Sequence, residues 1–226
     1  MSVACIVVAA GRGERLGEGR PKAFVDIGGR PLVWHALRAA SAAARVTHVV
    51  VVAPDGMEDD PALAGAAAVV PGGSTRQHSV ANGLAALPAD TEAVLVHDAA
   101  RCLAPPELFD AVAADVLAGH DAVIPGLPVV DTLKVVDAAG MVTATPDRAA
   151  LRAVQTPQGF GRGVLERAHA AAVERGDVDA PDDGVLVERL GLAVHVVAGH
   201  ADAFKVTRPQ DLLLASAVLA RRAAAV

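Results

Sequence analysis

The chain has 226 residues, enough for an α/β domain with a full core, and its 53% hydrophobic and 20% charged content separates it from disordered chains. Its net charge of −6 excludes a general nucleic-acid binder, which needs a basic face for backbone phosphates; one tryptophan, four phenylalanines and no tyrosine leave little for base stacking. No apolar run reaches the ~18 residues of a membrane span and no basic segment precedes the first strand, so neither a membrane partner nor a signal peptide is expected and the expected location is cytoplasmic.

The first predicted strand, VACIVVA (3–9), is apolar on both alternating faces, as in strands covered by helices on both sides. It runs into GRGERLGEGRPKAF, where Gly11 and Gly13 are spaced like the start of a dinucleotide fingerprint. Leu16 occupies the third position, however, and Gly17, Gly19 and Pro21 stop a helix from starting behind the glycines. The stretch therefore reads as a wrap: backbone N–H groups at Gly11 and Gly13 approach phosphates while Arg15 and Lys22 close over them. That suits a nucleoside triphosphate better than a dinucleotide, and no G-x-x-x-x-G-K-[ST] P-loop occurs.

A helix is predicted over 31–44, then a strand over 46–53 with no acidic residue at its end to hold a dinucleotide ribose, then a helix over 58–67. PGGSTRQHSVANGL (71–84) places a glycine pair before a helix over 74–87, with Ser74 or Thr75 as N-cap. On it Val80, Leu84 and Leu87 form a packing stripe, while Arg76, Ser79 and Gly83 form a second stripe able to face a ligand. The strand over 92–98 ends in His97 and Asp98, followed by Arg101, where open α/β sheets bind ligands. Asp98 could hold ribose hydroxyls or a metal and Arg101 an anion; His97 is expected to be structural. Cys5 and Cys102 have no C-x-x-C spacing and read as unreactive apolar residues, and no H-E-x-x-H or H-x-H occurs, so a protein-built zinc site is not expected.

A helix over 105–118 and a strand over 121–126 precede a break in the alternation. Residues 127–157 have β-type composition, a turn at Ala139–Gly140 and no crossover helix, which predicts a projecting β-hairpin arm. A two-stranded arm is poorly stable alone, so a homodimer built on it is expected. Helices over 161–175 and 182–190, a strand over 192–199 and a helix over 208–222 complete the chain. Lys205 is expected on a short strand before that last helix, which Thr207 and Gln210 would cap and from which Leu212, Leu213 and Leu219 would pack inward. The sum is a single doubly wound α/β domain over 1–226 with a mainly parallel sheet and an arm at about 127–157.

Taken together, AAGRGERLG with RPKAF, GGSTRQHSV, VLVHDAAR, PVVDTLK, RAVQTPQGF and FKVTRPQDLLLA resemble the 2-C-methyl-D-erythritol 4-phosphate cytidylyltransferase family, in that family's order across nearly the whole chain. The resemblance implies a Rossmann-like nucleotidyltransferase fold and transfer of CMP from CTP to 2-C-methyl-D-erythritol 4-phosphate with release of pyrophosphate, the alternative acceptor being another polyol phosphate such as ribitol 5-phosphate. It implies that Arg15 and Lys22 neutralise the triphosphate. Arg148 and Lys205 would position the substrate, with Asp98, Arg101, Asp131 and Thr132 near it. Ala10, Gly11, Gly73, Ser74 and Ser79 would surround the cytosine, and Asp98 with Ala99 the ribose. It further implies Mg²⁺ held mainly by CTP phosphates, and an arm exchanged between subunits so that Arg148 serves the partner's site. Two positions depart from the pattern: Pro181 stands where a threonine is common, and Cys102 directly follows Arg101 where a proline is common.

Overall fold

The computed structural model describes residues 2–11, 20–177 and 180–224. In chain order its strands are β1 (Ser2–Val8), β2 (Asp26–Ile27), β3 (Arg30–Pro31), β4 (His48–Ala53), β5 (Ala68–Pro71), β6 (Thr91–Asp98), β7 (Ala122–Pro128), β8 (Val135–Val136), β9 (Val142–Ala144), β10 (Arg152–Val154), β11 (Gln158–Gly161) and β12 (Val194–Ala198). The α-helices are α1 (Leu32–Ala42), α2 (Arg76–Ala85), α3 (Pro106–Leu117), α4 (Arg162–Arg175), α5 (Asp183–Glu188) and α6 (Pro209–Ala223).

β1 lies between β4 and β6, parallel to both, and β5 extends the sheet beside β4. β11 enters antiparallel between β6 and β7, and β12 runs parallel to β7 on its other side. The strands alternate their burial between two helical layers. Val3, Cys5 and Val7 of β1 pack with Val33 and Leu37 of α1 and Phe109 and Val112 of α3. Ala4 and Ile6 face the other way, toward Val80 and Leu84 of α2, Leu165 of α4 and Leu186 of α5. This is the mainly parallel, doubly covered Rossmann-like sheet that the apolar runs predict.

Several local expectations need correction. Residues 58–67 are not an α-helix: Pro61, at the start of one 3₁₀ turn (Pro61–Leu63), and Gly65 at φ +101° interrupt it. The strand β5 follows directly, although the alanine-rich run hid it. β11 was likewise hidden beside the predicted arm. The arm itself is shorter than 127–157, because β7 continues to Pro128 and β10 returns antiparallel along its end. What projects is the β8–β9 hairpin and its flanks, with Val130, Val136, Met141 and Val142 exposed. Its turn falls where expected: Gly140 has φ +81°, and the Asp137 carboxylate accepts from the N–H groups of Ala139 (3.0 Å) and Met141 (2.9 Å).

At the start of α6 the cap is not the Thr207–Gln210 pair. The Asp211 carboxylate reaches back to accept from the Thr207 N–H (2.7 Å), the Thr207 hydroxyl (2.9 Å) and the Arg208 N–H (2.8 Å). An ionised carboxylate in the first turn also complements the helix dipole, an advantage glutamine lacks. Leu213 does not pack inward but is 74% exposed; Ala215 and Val218 are buried against Val25, Ile27, Leu32 and Leu103, with Leu212 and Leu219 beside them.

Candidate active site

A cavity of about 520 Å³ opens at the carboxyl ends of β1 and β6 and beside the segment that follows β5, where doubly wound sheets bind ligands. Ala10 and Gly11 follow β1, Gly73 and Ser74 follow β5, and Asp98 and Ala99 close β6; Lys22 and Lys205 complete the wall with Arg76 and Ser79 of α2. Ten of the sequence-selected residues therefore meet there: Ala10, Gly11, Lys22, Gly73, Ser74, Arg76, Ser79, Asp98, Ala99 and Lys205. Gly13 and Arg15 lie outside the described residues. Lys22 opens a 3₁₀ turn (Lys22–Phe24) whose Ala23 and Phe24 are buried, so its backbone is anchored to the core.

The β5–α2 connection is shaped by contact and hydrogen bonding. A side chain at Gly72 would put Cβ 2.3 Å from that of Ala10, so only glycine lets the two loops approach. Thr75, not Ser74, caps α2, accepting from the His78 N–H at 3.1 Å. Ser79 Oγ accepts from the Gly73 N–H (3.0 Å) and donates to the Thr75 carbonyl (2.9 Å), which fixes the loop and leaves this hydroxyl no part as a nucleophile. Gly83 is not on a ligand-facing stripe, since an added Cβ would lie 2.5 Å from Ile6. The polar stripe of α2 meets the cavity only at its first turn.

Charge in the cavity is organised around Asp98. Its carboxylate accepts from Arg76 Nε (3.2 Å) and Lys205 Nζ (2.7 Å), and Arg76 Nη1 also donates to Asp183 of α5 at 2.8 Å. The other Asp183 oxygen meets His169 Nε2 of α4 at 3.0 Å. Burial alone would raise the Asp98 and Asp183 pKa values, but neighbouring cations outweigh it and hold both carboxyls below the usual range. Arg76 was legible as a cavity residue; its buried partner Asp183 was not. Lys205 sits in an extended segment rather than on a strand, joined to the core by the Val206 N–H donating to Ala100 O at 2.9 Å.

Other selected residues lie elsewhere. Arg101 donates to the carbonyls of Ala203 (2.8 Å) and Val154 (3.1 Å), tying the β6 end to the Lys205 segment and to β10. Asp131, Thr132 and Arg148 are exposed on the arm, where Arg148 donates to the Val130 carbonyl. Cys5 and Cys102 are buried free thiols, and burial pushes Cys102 up to about 12, so neither supplies a thiolate.

His97 is structural, as expected: it is fully buried, bonded through Nδ1 to Thr156 Oγ1 at 3.0 Å and packed on Phe109. Burial lowers it to about 4, against a favourable effect of Asp98 and an unfavourable one of Arg101. The unfolded chain takes up this proton near pH 6.5 and the folded one does not, so this contribution to stability is present above pH 6.5 and is lost as pH falls toward 4. Urea midpoints are expected to drop across that window by up to about 3 kcal/mol of stability, at ~1.4 kcal/mol per pKa unit. A flat profile would contradict the neutral assignment.

The sequence profile of the 2-C-methyl-D-erythritol 4-phosphate cytidylyltransferase family matches residues 3–221. A protein of that name from Nocardia farcinica is 54% identical, over 99% of this chain and 96% of its own length. One from Streptomyces coelicolor is 53% identical, over 97% of this chain and 85% of its own. The crystal structure of the Thermus thermophilus enzyme of that name superposes with a TM-score of 0.81 at 40% identity, covering 96% of this chain and 98% of that one. By profile, by identity and by fold, this chain belongs to the 2-C-methyl-D-erythritol 4-phosphate cytidylyltransferase family.

Proposed function

We propose that the chain transfers CMP from CTP to 2-C-methyl-D-erythritol 4-phosphate, the CTP-dependent step that makes a CDP-linked methylerythritol in isoprenoid precursor synthesis. One observation carries this reading beyond family membership: among the described cavity residues Lys22, Arg76 and Lys205 bring three cations against one carboxylate, Asp98, and no side chain is set up as a nucleophile or general base. The reaction needs that set. A phosphate oxygen of the substrate, already ionised, attacks the α-phosphorus of CTP; the bond from that phosphorus to the bridging oxygen breaks, and pyrophosphate leaves without a proton transfer. Alignment and charge neutralisation are what the chain must supply.

In this reading Gly11 and the Gly73–Ser74 loop present backbone groups to the nucleotide, and Asp98 with Ala99 holds the ribose. Lys22 faces the triphosphate, with Arg15 joining it from the first loop, and Lys205 positions the substrate phosphate. Mg²⁺ suits the donor set: Asp98 is the only carboxylate among the described residues lining the cavity, and each of its oxygens keeps a lone pair beyond its bond to Arg76 or Lys205. Asp98 would give one ligand and the phosphates most of the rest. When bound, the ion supplies further neutralisation of the triphosphate. The cytoplasm suits the two free buried thiols, and no helix among the described residues is long and apolar enough to cross a membrane.

The assay combines CTP, Mg²⁺ and either methylerythritol phosphate or ribitol 5-phosphate, and measures pyrophosphate. Release with the first is expected; release with ribitol phosphate alone would redirect the assignment to another polyol phosphate.

The exposed apolar arm supports a homodimer in which Arg148, Thr132 and Asp131 reach the partner's cavity. Mixing Arg148→Ala subunits with Lys22→Ala subunits is then expected to restore activity, since each heterodimer has one site with both cations. Activity no higher than the sum of the two separate variants would refute the shared site.

A further inference from the structure

The structure brings together three ligating side chains that sequence spacing keeps far apart: Asp115 in the last turn of α3, His120 just beyond it and His195 near the start of β12. One ligand atom from each lies within 4.8 Å of the others. The two imidazoles stack, with centroids 4.3 Å apart and planes 16° from parallel. His195 Nδ1 is 3.2 Å from an Asp115 carboxylate oxygen. These groups lie at the opposite end of the sheet from the cavity, since His195 pairs with Val123 at the start of β7 while the cavity takes the ends of β1 and β6.

The geometry points to a binding site for a divalent transition ion of the zinc class, built by Asp115, His120 and His195 and separate from the nucleotide cavity. His120 Nδ1 faces the main-chain carbonyl of Asp115 at 3.2 Å. A carbonyl can only accept, so the proton sits on Nδ1 and the Nε2 lone pair is left for a ligand, the usual arrangement at metal-bound histidines. Two imidazoles and a carboxylate, with water completing a tetrahedron, suit zinc; the hard cations Mg²⁺ and Ca²⁺ favour all-oxygen shells. Ligands about 2.0–2.2 Å from one ion stand roughly 3.3 Å apart, so the His195–Asp115 pair is already at that spacing. The ligand atoms of the three side chains stand within 4.8 Å of one another, so an ion would draw the exposed His120 and His195 rings out of their stacked arrangement. A bound ion would fasten α3 to the outer strand of the sheet.

The test is calorimetric titration of Zn²⁺ into chelator-treated, desalted full-length protein without nucleotide. Wild type is expected to bind one ion at this site, unaffected by excess Mg²⁺. His195→Ala should weaken binding at least tenfold, on the scale for loss of a metal-site group. His48→Ala should bind as wild type does, because His48 lies outside the cluster. CTP turnover of His195→Ala measured in zinc-free buffer verifies its fold, and His120→Ala replaces it if that variant is not folded. Absence of saturable binding by wild type, or equal binding by wild type and both cluster variants, would overturn the site.

Discussion

Lys22→Ala is expected to lower kcat by about 10²–10³-fold, the scale for removing one preorganised group from a developing charge. The reason lies in how the lysine is held. Its 3₁₀ turn is fastened below by buried Ala23 and Phe24, and Arg20 donates to the Phe24 carbonyl at 3.0 Å, so Lys22 starts from a fixed backbone on the cavity wall. Negative charge shifts toward the leaving pyrophosphate as the phosphorus–oxygen bond breaks, and a cation fixed in advance meets that charge without reorganisation. The loss should therefore appear in kcat and in kcat/KM to a similar degree, with KM for CTP changing less. Steady-state pyrophosphate release at saturating CTP measures it, with circular dichroism as the check on folding. A folded variant within a few-fold of wild-type turnover would remove Lys22 from its assigned role.

Asp183→Ala is expected to destabilise the fold by about 3–5 kcal/mol, the range for removing one member of a buried ion pair. For a chain of this size that corresponds to a fall of roughly 10 °C in Tm. Asp183 is 1% exposed and joins three helices, through its own position on α5, Arg76 on α2 and His169 on α4. Its loss leaves Arg76 held by Asp98 alone. The wild-type contribution has a pH signature. Asp98 and Asp183 are both held below the usual carboxyl range, so their stabilisation is present above about pH 4, where the unfolded carboxyls are ionised, and is lost as pH falls further. The variant should therefore start lower at neutral pH and show a shallower acid limb. Chemical denaturation at neutral pH and through the acid range below about pH 4 measures it; equal stability at neutral pH would show that Arg76 does not need its second carboxylate.

The fold was readable wherever burial imposed a long, simple period. β1, β4 and β6 are continuous apolar runs because helices cover both faces, and α1, α3 and α4 have boundaries close to those predicted. β5 and β11 escaped for opposite reasons. β5 follows an alanine-rich stretch whose helical propensity is overridden by Pro61 and Gly65, whereas β11 is QGFG, too short and glycine-rich to show strand propensity although Phe160 is wholly buried. In the site, Asp98 was readable because the end of a central strand is a privileged position. Arg76 to Asp183 was not: the pair joins residues 107 positions apart. Arg101 shows a further limit, since its partners are carbonyl oxygens, which every residue has and no side-chain pattern reveals.

The place of β11 also bears on synthesis. It is made after β7 yet lies between β7 and β6, so the two halves of the sheet cannot join until residues 158–161 have been made. A nascent chain that already contains β1, β4 and β6 still has an open edge at Val94 and Val96, the segment that Gln158–Gly161 will cover. While that edge is open it can pair with another chain. Crowded ribosomes translating one message would bring such edges together, and slow translation before residue 158 would prolong the exposure.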